Sequence, residues 1–87
     1  MPDLGPGFNK LSGPEQAAVL TVVDKLARQY PEAAGDVAVT SAFGSISVNV
    51  KAPPGREMEI QNALMGAVTD IMLDTGILII LLVSRRD

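Results

Sequence analysis

The chain has 87 residues, a net charge of −3, 47% hydrophobic residues and three aromatics, Phe8, Tyr30 and Phe43. This is one small domain whose core must be aliphatic. It holds no His and no Cys, which removes the commonest general base, the usual transition-metal ligands and any disulfide. The acidic balance argues against a nucleic-acid binder that works by neutralising phosphates.

Residues 1–11 carry Pro2, Gly5, Pro6 and Gly7. They are expected to form a flexible N-terminal arm anchored by Phe8 or Leu11, with one domain over residues 12–87. The first ten residues lack the apolar stretch of a signal peptide, which predicts a cytoplasmic protein.

Ser12-Gly13-Pro14-Glu15 predicts a helix start. Ser12 can cap, Glu15 is its capping-box partner three residues on, and Pro14 suits the first turn. The helix should run to Tyr30 and stop before Pro31, which disfavours helical geometry in the preceding residue. Val19, Val22, Val23, Leu26 and Tyr30 make its apolar stripe.

Two alternating runs follow. Val37, Val39, Ser41 and Phe43 share one face of the first, and Ile46, Val48 and Val50 one face of the second. Gly44-Ser45 between them suits a two-residue type II′ turn, so the strands should pair antiparallel. Pro53-Pro54-Gly55 breaks the chain before a second helix over about Arg56–Thr75. Its stripe is Ile60, Leu64, Ala67, Val68 and Ile71, and Gly76 fits its C-cap.

The last element, Ile77–Val83, is seven consecutive aliphatic residues. A run apolar on both faces reads as a strand covered on both sides and paired in parallel through a crossover helix. It is too short for a membrane helix, which needs about 20 apolar residues. The fold class is therefore α+β in the order α-β-β-α-β, a small three-stranded mixed sheet with two helices. The crossover is expected to be right-handed.

Few residues point to chemistry. Gly44-Ser45 could cradle an anion on its backbone N–H groups, but a plain hairpin turn explains the pair better. Asp70 and Asp74 stand i, i+4 on one helix face without a third acidic partner, whereas sites for hard cations want several oxygens. Met58, Met65 and Met72, spaced by seven, fit either a partner groove or the edge of the core. No serine has a histidine to activate it.

In order along the chain, the helix ending in Tyr30-Pro31, the strand running into Phe43-Gly44-Ser45, and Asp70-Ile71-Met72-Leu73-Asp74-Thr75-Gly76-Ile77-Leu78-Ile79 together resemble the minimal nucleotidyltransferases of the DNA polymerase beta-like superfamily. The resemblance implies a nucleotidyltransferase-like fold in which the Gly-Ser turn would hold the triphosphate. It also implies an Asp-x-Asp pair on the following strand that would bind magnesium for nucleotidyl transfer. Here Gly44-Ser45 runs directly into Ile46-Ser47-Val48. The helix that would intervene is missing, and Ser45 and Ser47 fall on the two Asp positions. A neutral hydroxyl does not replace a carboxylate against a divalent cation. Gly44 and Ser45 thus carry over as a turn only, with no catalytic residue, metal ligand or cofactor expected.

Losing a helix should uncover one face of the sheet and leave an apolar patch, expected at Ile77, Ile79, Leu81 and Val83. The expected role is protein–protein association, making a homo-oligomer. By extension from the family, a helical toxin-like partner and an antitoxin-like role are also implied. Membrane and nucleic-acid partners are not expected. The rival is a live transferase using Mg and NTP with Asp36, Asp70 or Asp74. A third reading is an unrelated α-β-β-α-β interaction domain.

Overall fold

The computed structural model describes residues 4–42 and 45–86. Its elements are α1 (Pro6–Asn9), α2 (Gly13–Gln29), β1 (Val37–Ala42), β2 (Ser45–Ala52), α3 (Glu57–Thr75) and β3 (Ile79–Arg85). The fold is α+β, with a three-stranded mixed sheet in the order β1-β2-β3. β1 and β2 pair antiparallel with Val39 opposite Val48. β2 and β3 pair parallel with Val48 opposite Leu81.

The helix ends follow the local chemistry. Ser12 N–H donates to Glu15 Oε1 at 2.9 Å and Glu15 N–H to Ser12 Oγ at 3.4 Å, so the capping box forms. Gly76, with φ 78°, closes α3, and its N–H reaches the Met72 carbonyl at 2.9 Å. A side chain would be strained in that left-handed conformation.

One face of the sheet carries the core. Val37, Val39, Ile46, Val48, Val50, Ile79 and Leu81 are buried beneath Val19, Val22 and Leu26 of α2 and Ile60, Leu64 and Val68 of α3. The other face bears no helix. Its residues Ala38 and Thr40 of β1, Lys51 of β2, and Ile80, Leu82 and Ser84 of β3 are exposed, and Ser47 and Asn49 are half-buried.

Two expectations change. The N-terminal segment is not a loose arm from residue 4 onward: Leu4 and Leu11 are buried and Pro6–Asn9 forms a helical turn. The Leu4 carbonyl accepts from Val39 N–H at 3.0 Å, so the segment lies along the outer edge of β1. Gly7 permits this approach, since a Cβ there would stand 2.2 Å from the Val39 carbonyl oxygen. Pro6 and Gly7, which read as breakers, instead fit a short turn and a close backbone contact.

The hairpin connection also moves. The register pairs Ala42 with Ser45, so Ser45 begins β2 and is not a turn residue. The type II′ assignment rests on Gly44 and lies outside the described residues, as does Phe43.

Candidate functional site

Ile77, Ile79, Leu81 and Val83 do not form an open patch. Ile79 and Leu81 are 2% and 7% exposed, and Ile77 and Val83 pack against the same core. Successive strand residues point to opposite faces, so the open positions are the alternate ones. Leu78, Ile80 and Leu82 are 56%, 39% and 51% exposed. A run that is aliphatic at every position contains no signal of which parity faces the core. Only the parallel register with β2 decides it.

β3 is also an edge strand, with β2 as its one neighbour in the sheet. Its side away from β2 presents the backbone of seven residues, of which Ile79–Val83 are all aliphatic. Long, uncharged apolar edges are what sheet proteins generally avoid leaving free.

α3 extends this surface. It packs on β3 and α2, with Ile60, Leu64 and Val68 as its buried line. Ala67, Asp70, Ile71 and Asp74 border a shallow depression with Ala17, Ala18 and Thr21 of α2, which marks the flank facing α2. At about 100° per residue, Met58, Met65 and Met72 fall on the opposite flank, away from α2. All three are exposed, Met58 to 71%. Met65 and Met72, each 41% exposed, suit both the partner groove and the edge of the core. The result is an apolar margin along β3, with the methionine stripe of α3 on the helix side and, on the helix-free side, Ile80 and Leu82 of β3 together with Leu78 just before it.

The carboxylates of the rival reading are scattered. Asp36 precedes β1 and is ion-paired to Arg86 at 2.5 Å. Asp70 and Asp74 border the α2–α3 depression, and Asp36 borders a different one beside Asn49 and Lys51. Among the described residues, no group of three or more His, Cys, Asp or Glu is placed to hold a metal ion. Ser45 and Ser47 are half-buried on the helix-free face of β2. Gly44 lies outside the described residues.

A polar cluster ties the start of α3 to the end of α2. Arg56 donates to Glu59 at 2.8 Å, approaches Glu32 at 3.4 Å, and stands 5.5 Å from the centre of the Tyr30 ring. The Arg56 and Tyr30 hydrogen bonds hold the Glu59 carboxyl below its ordinary range. Loss of solvent and the neighbouring Glu59 push the Tyr30 hydroxyl upward. Arg86 adds a hydrogen bond to the Glu32 carbonyl at 2.8 Å. These are structural ties at the surface, and no local pattern marks them because they join residues far apart in the chain.

No protein-family model, curated protein or solved structure matches the chain. No helix among the described residues is long and apolar enough to cross a membrane.

Proposed function

We propose that the chain works by protein–protein association, first of all with its own copy, as a degenerate nucleotidyltransferase-like domain without transfer chemistry. The observation that carries this reading is the exposure of Leu78 just before β3 and of Ile80 and Leu82 on it, with the outer edge of β3 unpaired among the described residues. About half of these three side chains is still exposed, so covering the rest contributes roughly 2–4 kcal/mol per subunit before the costs of association. The absence of transfer chemistry is supported by Ser45 and Ser47 at the positions where the family resemblance would put carboxylates. It is supported too by the separation of Asp36 from Asp70 and Asp74. A cytoplasmic location belongs to the same reading.

Sedimentation equilibrium up to about 100 μM tests it, a concentration at which even a weak micromolar dimer is populated. The wild-type chain should associate, and Leu82→Lys should be monomeric with an unchanged circular-dichroism spectrum. A strictly monomeric wild type would end the reading. So would calorimetric binding of Mg-ATP at micromolar affinity that is lost in Asp70→Asn.

A further inference from the structure

We infer that two copies join β3 to β3 antiparallel, about a twofold axis perpendicular to the sheet. The product is a closed, continuous six-stranded sheet with the two α3 helices side by side above it. This arrangement rests on the self-association reading above and specifies its geometry.

Four observations select a second copy at the edge over other occupants. First, the free edge of β3 needs an extended strand to satisfy its backbone N–H and C=O groups, and β3 is itself such a strand. Second, the apolar residues are gathered at this edge and not spread over the bare face. Away from β3 that face holds Thr40, Ser47, Asn49 and Lys51, so stacking two sheets face to face would bury polar groups and an ammonium. Third, the flank is self-complementary. An unrelated strand would pair with β3 but leave Met58, Met65 and Met72 uncovered, whereas a twofold copy brings its own methionine stripe to meet them. Fourth, its size is sufficient. A seven-residue strand is about 23 Å long and a helix layer over a strand is roughly 20 Å deep. That footprint of roughly 460 Å² is raised by corrugation toward the ~600–1,000 Å² per partner of stable interfaces.

Charge and topology then fix the orientation. Arg85 ends β3, Arg86 beyond it is ion-paired to Asp36, and Ile77–Ser84 is uncharged. Parallel pairing would set the Arg85 side chains of two copies side by side. Antiparallel pairing puts them at opposite ends, and only it leaves both α3 helices on the same face. The other edge of the sheet is occupied by the chain itself. Leu4 and Gly7 lie against β1 at Val39, through the Leu4 carbonyl and the close approach of the Gly7 backbone. With β3 the one uncovered edge among the described strands, pairing closes at two copies instead of propagating into a filament.

Cysteine cross-linking reads the geometry directly, because the chain has no cysteine of its own. Single variants Leu78→Cys, Ile80→Cys, Leu82→Cys and Ser84→Cys, oxidised with copper phenanthroline, should give a disulfide-dimer yield that peaks at the inner positions. The yield should fall several-fold at both ends. Mixing Leu78→Cys with Ser84→Cys should restore a cross-linked heterodimer. A uniform yield along the strand would establish parallel pairing and overturn the arrangement. A sedimenting dimer with no cross-link at any position would overturn it too, while leaving self-association intact. For any variant that misfolds, amide exchange of the wild-type chain supplies the second reading. The outward β3 amides should slow at least tenfold between dilute and concentrated samples, and unchanged exchange in a sample that sediments as a dimer refutes edge pairing.

Discussion

Gly7 has the least room of the described glycines. A Cβ there would sit 2.2 Å from the Val39 carbonyl oxygen and 3.0 Å from Thr40 Cα, both rigid strand atoms. No side-chain rotation relieves such a contact, so the N-terminal segment must move off β1. Gly7→Ala should therefore weaken the Leu4–Val39 hydrogen bond and loosen the burial of Leu4, costing about 1–3 kcal/mol. For a domain of this size that is a fall in Tm of roughly 4–8 °C for each kcal/mol. Thermal denaturation measures it. Gly13→Ala is the control, because a Cβ there meets nothing within 4 Å, and equal losses in the two variants would show that the close approach is not the cause.

At the scale of the helix, the two starts are held by carboxylates, and acid should release them. The Ser12 backbone and side-chain hydrogen bonds hold Glu15 below its ordinary value, and the Arg56 bond followed by the Tyr30 bond does the same for Glu59. A carboxyl whose folded pKa is lowered contributes stability above its unfolded value near 4.5 and loses it as pH falls through the folded pKa. The urea midpoint should thus hold down to about pH 5 and decline below it. The Glu15→Gln, Glu59→Gln double variant should start lower at pH 7 and decline less. A double variant with an unaltered acid slope would refute this assignment.

The same two helices show how far local rules reach. Ser12, Pro14, Glu15 and Gly76 announce their ends by chemistry contained within one turn, and those ends formed where expected. Val39 and Val48 declared their buried face by alternating with polar neighbours. β3 could not do so: with every position aliphatic, the choice between Ile79-Leu81 and Ile80-Leu82 depends on a register made with a strand some thirty residues earlier. The segment around Gly7 was hidden for a related reason, since its partner is the backbone of β1 and backbone contacts leave no periodicity in the sequence. The ties of Arg56 to Tyr30 and Glu32, and of Arg86 to Glu32, join three separate stretches and had no local mark.

For the whole molecule, the thin core and the apolar flank are one problem. A chain of 87 residues buries only about 60–65% of its unfolded surface, and here several of its largest aliphatic side chains remain outside the core. Pairing through β3 would enclose the methionine stripes between the two α3 helices and set Ile80 and Leu82 against their copies across the new seam, so the stability of each subunit should depend on how many partners are present. The Tm of the wild-type chain should rise with protein concentration. At ~0.7 kcal/mol of unfolding enthalpy per residue in each of two chains, a one-step dissociation and unfolding gives about 4 °C per tenfold dilution. Monomers that stay folded after separating would reduce that figure without removing it. Leu82→Lys places an ammonium in the middle of the flank, and its Tm should be independent of concentration and meet the wild-type value only at high dilution. Scanning calorimetry over a hundredfold concentration range distinguishes the cases. A wild-type Tm that does not move would mean that the exposed leucines and isoleucine contribute nothing to stability through a second copy, and the association reading would then have lost its energetic basis.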